Sequence, residues 1–468
     1  MISAHSPDNA PGGGSAPQLP RELGLVDLAL TQVLFIVGLP WVGVAAKLGT
    51  AHVVFWLAAI VLFYVPSAVV VTYLSRIMPL EGGLYQWAKL GFNACVGFLV
   101  AWNLWLFAIL NTSEIGLQVT QYAVYVGRAN SPLWTSPWFI AGVNAVIMAG
   151  LAAVAVLGLG VGKWLNKAGG ALMLGTFAIL VALPWLNTAN GTLPSYHPLA
   201  ATMPVMSVMS LNLLGKMGFG ALGGFEYVAI HAGECRNPVR AIGLSVAIAA
   251  PIIAAMFIFG TSSVLALVPQ DQIDLIAPIP QVLAAGLRPF GAAAAVAPIV
   301  ILALLGIRVA QASVMFGGNT RLPMVAGWDG LLPAWFTRLH ARHRTPVNSI
   351  VFVGAATFAL SVVGQIGVGK QEAFQLLWNA SVIFYALTYL VMFAIPIAGV
   401  RGQPPAPAWL RVAALSGFLM TLLDVALSIV PIVQVGSRVA FAAKIATLVA
   451  ATNAVGLLIY RRSRVGGV

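Results

Sequence analysis

Along this chain, apolar runs of about 20 residues, each long enough to cross a bilayer as a helix, alternate with short polar breaks almost from end to end. A helix is the form such a run must take in lipid, because its backbone N–H and C=O groups have no water to bond. The pattern predicts twelve spans, near 25–47, 52–75, 85–126, 137–160, 164–186, 205–232, 241–268, 287–320, 347–366, 372–399, 408–432 and 438–460. The third and eighth exceed what a bilayer needs and are expected to tilt or to project beyond it. Connections are short except 187–204, 269–286 and 321–346, and no soluble domain fits between them. Residues 1–20 are polar and rich in Pro and Gly, with no apolar stretch of the kind a signal peptide carries. They are expected to form a disordered cytoplasmic tail ahead of a single transmembrane domain over 21–465.

Two spans are interrupted. The first reads LTQVLFIVGLPWVGVAAKLG, with Gly38, Pro40 and Gly43 near its middle. The sixth reads MGFGALGGFEYVAIHAGECRNPVR, where Gly218, Gly220, Gly223 and Gly224 crowd together just before Glu226. Breaking a helix frees N–H and C=O groups at membrane depth, which is tolerated where they line a cavity. Paired breaks in corresponding helices of two halves mark the binding site of secondary transporters. The sixth span is where a five-plus-five internal repeat would place the counterpart of the first.

Composition narrows the class. Hydrophobic residues make up 60% of the chain and charged residues 8%, against roughly a quarter charged in soluble domains. The net charge of +12 would suit nucleic acid, but its distribution argues otherwise. With the amino terminus inside and loops taken alternately, most of the 24 Lys and Arg fall on the cytoplasmic face. That bias is a topology signal; it places both termini in the cytoplasm and leaves no nucleic-acid partner to propose. Cys95 and Cys235 lie far apart without metal-ligand spacing, and the six histidines are scattered singly. Neither a metal centre, a cofactor nor an enzyme's nucleophile–base pair is expected, and no phosphate-binding GxxxxGK[ST] run exists to drive transport with ATP. An ion channel, the more distant alternative, would need a continuous polar lining, whereas the spans carry isolated polar residues.

At the sixth span the chain resembles the amino acid–polyamine–organocation superfamily of permeases. Gly224 and Glu226, then Ala232, Gly233, Glu234, Asn237, Pro238 and Arg240, follow its G-x-E…A-G-E-x-x-N-P-x-R signature. MPLEGGLYQW (78–87) is similar to the P-x-x-G-G-x-Y-x-W loop after the second helix, and TRLPMVAGWDGLLP (320–333), followed by Thr345-Pro346, to the loop after the eighth. The resemblance covers about residues 22–460. It implies an all-α integral membrane protein of the LeuT type, with helices 1 and 6 broken. Two inverted five-helix repeats, about 25–186 and 205–399, would be joined by two peripheral helices at about 408–460. The first break departs from the family's G-S/A-G-I-F: this chain reads Val37-Gly38-Leu39-Pro40-Trp41-Val42-Gly43. The small-residue bed for an α-carboxylate is thereby altered, which keeps amines and polyamines in contention.

By the same resemblance, substrate lies between the two breaks. Val37, Gly38, Leu39, Pro40, Trp41 and Gly43 are the candidates of the first break, whose backbone from Gly38 to Gly43 (Pro40, which has no N–H, excepted) would offer N–H groups and helix-start dipoles to a carboxylate. Phe219, Gly220, Ala221, Leu222, Gly223, Gly224 and Phe225 would offer carbonyls to an ammonium group. Phe219 or Phe225 is either an aromatic lid or plain packing. Gly220 stands where close relatives place a gating aromatic, implying a larger substrate or a different gate. Asn103 is a further substrate candidate.

An ionisable group inside a membrane helix is functional by default, which makes Glu226, Glu114, Arg308 and His231 proton-coupling candidates. For Glu226 the alternative is a structural bond to the broken helix, and for His231 a packing role. Sodium-coupled relatives build part of a cation site in the eighth span; a fixed charge at Arg308 would replace the ion. Lys216 is read as snorkelling, or as a span drawn in the wrong place, and Asp424 as structural. Glu234, Asn237, Pro238 and Arg240 are expected to brace a cytoplasmic hinge or gate. The function expected is secondary active transport of amino acids or related small amines across a bacterial cytoplasmic membrane. A proton or a counter-substrate would drive it. A putrescine-like polyamine carrier is the alternative, favoured if Glu114 and Glu226 both face the cavity.

Overall fold

A computed structural model of the chain describes residues 23–78, 83–125, 132–157, 159–226, 238–291, 295–328, 330, 332–363, 370–400, 402–432 and 435–465. Their regular structure is helical. In chain order the helices are α1 Leu25–Ile36, α2 Trp41–Ala46, α3 Gly49–Ile77, α4 Leu84–Gly91, α5 Ala94–Ser113, α6 Ile115–Ala123, α7 Pro137–Leu157 and α8 Leu159–Ala189. There follow α9 Val208–Gly215, α10 Pro238–Leu267, α11 Pro278–Leu287, α12 Val296–Trp328, α13 Val347–Val363, α14 Lys370–Ala398, α15 Ala408–Leu427 and α16 Arg438–Val465.

Among the described residues, nine helical stretches are long and apolar enough to cross a membrane. The first, sixth and ninth expected spans hold shorter helices. The first is split between α1 and α2, the sixth runs from α9 into a wide π turn at Lys216–Ala221, and the ninth is α13. Two starts need correction. The third span begins at Ala94, because the chain turns at Phe92 and the Asn93 side chain accepts the Val96 N–H at 3.0 Å to start a new helix. The eighth begins at Val296, and the loop before it carries α11 and the turn Arg288–Phe290. The excess at the start of the third span therefore belongs to a short extra helix, α4, whereas α12 stays long, 33 residues, by running on to Trp328. An apolar pattern continues across such turns and hides them.

Local chemistry sets the ends. Ser207 starts α9 by accepting the Ser210 N–H at 3.1 Å, while its own N–H donates to the Ser210 hydroxyl at 2.7 Å. At the start of α1, Asp27 accepts the Gly24 N–H at 2.9 Å and pairs with Lys167 of α8 at 2.7 Å. Around α1 pack α8, α10 and α12, while α14 lies between α5 and α15. A single apolar cluster joins these elements, from Val37 and Phe63 to Phe219, Phe257 and Tyr389. Large apolar side chains such as Trp138, Trp164 and Val205 stay exposed on the outside, where a bilayer would cover them.

Candidate functional site

The first break lies between α1 and α2. Helix α1 stops at Ile36, Val37 turns to ψ 85°, and Pro40, which has no N–H to lose, starts α2. The carbonyls released at the end of α1 are taken by one side chain of α12. The Gln311 amide donates to the Leu34 and Val37 carbonyls, each at 2.8 Å. Arg308, one turn earlier, donates Nη1 to the Gln311 carbonyl oxygen and so orients the amide. Both side chains are buried.

The second break ends at a buried carboxyl. Gly224 sits at φ +139°, a backbone region that glycine enters without strain. Its N–H donates to the Tyr389 hydroxyl at 2.7 Å. That hydroxyl donates in turn to one oxygen of Glu226, and the Tyr385 hydroxyl donates to the other. Tyr385 and Tyr389 are four residues apart on α14 and share a face. Glu226 is 0% exposed, with both oxygens engaged by this tyrosine pair.

Between the breaks lies a small cavity of about 70 Å³. Gly38 and Trp41 line it from the first break, Phe219, Gly220 and Gly223 from the second. The Trp41 indole spans both. A Cβ on Gly38 would lie 2.6 Å from its Cδ1, and one on Gly220 would lie 2.6 Å from its Cη2. Trp41 also meets Trp378 of α14 edge to face, ring centres 5.4 Å apart, and Trp378 stacks on Phe374. An aromatic ring thus lies against position 220, and it comes from the first break. Trp41, Trp378 and Phe374 also line a crevice of about 10 Å³ on the other side of the pair, where Lys216 and Gln375 stand.

Several expected site residues sit elsewhere. Asn103 faces α16, not the cavity. Its amide donates to Asn453 at 2.7 Å and accepts from it at 3.1 Å, clamping α5 to α16. Phe225 stacks on Tyr64, ring centres 4.7 Å apart, whereas Phe219 is at the cavity wall. Val37, Leu39, Ala221 and Leu222 are buried in the surrounding apolar core, and Gly43 packs against Pro278 of α11. Pro40 faces the crevice.

Glu114 is buried at the joint between α5 and α6, and neither of its oxygens accepts a hydrogen bond among the described residues. Its neighbours Asn111, Thr112 and Ile115 line the cavity, but Glu114 does not. Lys216 does not snorkel. It is 1% exposed and donates to Asn379 at 3.1 Å and to Ser428 at 3.4 Å, while the Ser428 hydroxyl donates to Asp424 at 3.3 Å. Serine thereby bridges a buried lysine and a buried aspartate across α9, α14 and α15. Of the expected hinge, Pro238 opens α10 and Arg240 is exposed beside it. His231, Glu234 and Asn237 lie outside the described residues.

A family model described as "Amino acid permease" matches residues 23–451, nearly the whole chain. The chain belongs to the amino acid permease family. Similar proteins include an uncharacterized transporter of Legionella pneumophila, 24% identical over 83% of each chain. Another is a probable agmatine/putrescine antiporter of Lactococcus lactis, 22% identical over 80% of this chain and 78% of that one. A third is the vacuolar cationic amino acid transporter 2 of Arabidopsis thaliana, 24% identical over 69% of this chain and 51% of that one. These relatives are named as transporters, not as enzymes, and this permease is a multi-pass membrane transporter.

Sequence reading of the permease missed Gln311, Tyr385, Tyr389 and Trp378. Two signals were available: the i, i+3 spacing of Arg308 and Gln311, and the i, i+4 spacing of Tyr385 and Tyr389. Both put polar groups on one face of an otherwise apolar span.

Proposed function

We propose that this permease is a secondary active transporter working by alternating access, with amino acids or related small amines as substrates and a proton or a counter-substrate as the driving partner. The observation that carries the reading is the cavity between the two broken helices, walled by Gly38 and Trp41 on one side and by Phe219, Gly220 and Gly223 on the other. Broken helices set backbone N–H and C=O groups at membrane depth, where a polar solute can reach them when the bonds within the chain open. The domain organisation that fits is a LeuT-type arrangement of twelve spans. Its repeats would cover about 25–186 and 205–399, its peripheral helices about 408–460, and both termini would lie inside a bacterial cytoplasmic membrane.

Coupling follows from how charge is held. The carbonyls at the end of α1 are satisfied by the Gln311 amide, with Arg308 behind it. A cation bound there would have to displace two hydrogen bonds and sit beside a guanidinium. This supports sodium independence. Glu226 joins the second break to α14 through two phenols, so a change in its protonation would alter what holds the broken helix in place. Reconstituted protein should accumulate a radiolabelled substrate under an imposed pH gradient or by exchange. Uptake stimulated by sodium alone, with no pH effect and no exchange, would overturn this reading.

A further inference from the structure

The charge inside the central cavity restricts which solute it can take. Of the side chains lining it, Arg308 is the one that carries charge. Its guanidinium offers five N–H groups in a planar fork. Nη1 is committed to Gln311, and Nε has no partner among the described residues. Such a fork is suited to a carboxylate.

Among the described residues no carboxylate stands at the cavity wall to receive a cation. Glu226 has both oxygens held by Tyr385 and Tyr389, and of these three only Tyr385 reaches the lining. Glu114 stands behind the lining, near enough to Arg308 for the two charges to attract, but no hydrogen bond or ion pair joins them among the described residues. The condition under which a polyamine would be the better substrate is therefore not met. The remaining wall is largely apolar and aromatic, with Phe35, Trp41, Phe107, Phe219, Met315 and Trp378 facing inward. Aromatic faces also attract cations, but here they share the space with a fixed guanidinium. The Asn111 and Thr112 side chains at the wall supply acceptors for one α-ammonium group. They do not offset a second positive charge beside Arg308.

Resting on the transporter reading above, we infer that the substrate is an α-amino acid with a bulky uncharged side chain, its carboxylate held by Arg308 and its side chain packed among the aromatic rings. Di- and polyamines and cationic amino acids are rejected. This separates the permease from what its named relatives in Lactococcus and Arabidopsis carry.

The test compares solutes that differ by one group, on purified full-length protein. L-phenylalanine and L-leucine should raise the apparent melting temperature. Phenethylamine, which is phenylalanine without its carboxylate, should bind about tenfold or more weakly, as loss of a charged hydrogen-bonded contact implies. Putrescine and L-arginine should give no shift. In Arg308→Gln the preference for phenylalanine over phenethylamine should fall to about twofold, and Arg308→Lys should recover part of it. Because Arg308 also orients Gln311, a variant that fails to fold leaves the wild-type ligand comparison to decide. Equal binding of phenylalanine and phenethylamine, stabilisation by putrescine or arginine, or no shift with either neutral amino acid overturns the inference. Proteoliposomes tested with the same panel separate the two readings. Uptake confined to amines refutes this substrate class alone, whereas uptake of no solute in the panel also refutes the proposed function.

Discussion

The indole of Trp41 lies against Gly220 so closely that a single Cβ at position 220 would stand 2.6 Å from its Cη2. The ring reaches from one broken segment to the other, and the absence of a side chain on the sixth span is what admits it. A rigid indole clamped between two segments cannot swing aside cheaply. Gly220→Ala should therefore displace Trp41 from Trp378, lowering the melting temperature and substrate affinity together. The cost should be about 1–3 kcal/mol, as for other overpacked cores. In the double variant with Trp41→Ala, the effect of Gly220→Ala should largely vanish, because the ring it strikes is gone. A double-mutant cycle on melting temperature measures this coupling, and additivity would show that the ring is not what limits position 220.

This relationship also shows how far the sequence carries. Gly38, Pro40 and the glycine run before Glu226 marked both breaks, because those residues weaken a helix whatever surrounds them. Gly220 was legible as a missing aromatic, but its replacement was not, since Trp41 reaches it only once α2 and the π turn are packed together. The same holds for Asn103, whose partner Asn453 is 350 residues away. Glu226 was legible as a buried carboxyl, but the phenols that hold it come from another span. Periodicity fixes which residues share a helix face; which faces meet is decided by packing.

The tyrosine pair on α14 makes unequal contributions. Tyr389 accepts the Gly224 N–H and donates to Glu226, so Tyr389→Phe strands two buried groups at once. Tyr385→Phe strands one and leaves the Gly224 bond intact. An unsatisfied buried group costs about 1–3 kcal/mol. Thermal unfolding should accordingly rank Tyr389→Phe as the more destabilised variant. Tyr385→Phe should affect substrate affinity more, because Tyr385 lines the cavity.

Glu226→Gln tests proton coupling directly. The amide keeps the shape and still accepts from one phenol, but it turns a donor toward the other and carries no exchangeable charge. Uptake driven by a pH gradient should fall more than exchange between internal and external substrate. Equal loss of both would assign Glu226 a structural role.

Gln311 is expected to hold the first break in its present shape. Gln311→Leu removes both donors to the Leu34 and Val37 carbonyls and leaves Arg308 without its acceptor. Each stranded carbonyl costs about 1–3 kcal/mol, so the variant should unfold at a lower temperature and bind substrate weakly. Adding sodium should restore neither stability nor uptake if Gln311 has no ion to replace it. A sodium-dependent recovery would show that the pocket at the end of α1 still accepts a cation.

The buried charges on α15 and beside α9 give a prediction about stability. Lys216 and Asp424 are joined through Ser428, with Asn379 completing the lysine's bonds. Lys216→Met leaves Asp424 as an uncompensated buried charge, and breaking one side of such a pair costs about 3–5 kcal/mol. Replacing both, as Lys216→Met with Asp424→Leu, removes the pair together with its desolvation penalty and should recover most of that loss. Melting temperatures of the two single variants and the double decide the matter. If the double variant is as stable as wild type yet transports poorly, the pair acts in transport and not in folding, since Lys216 directly precedes the segment that forms the cavity wall.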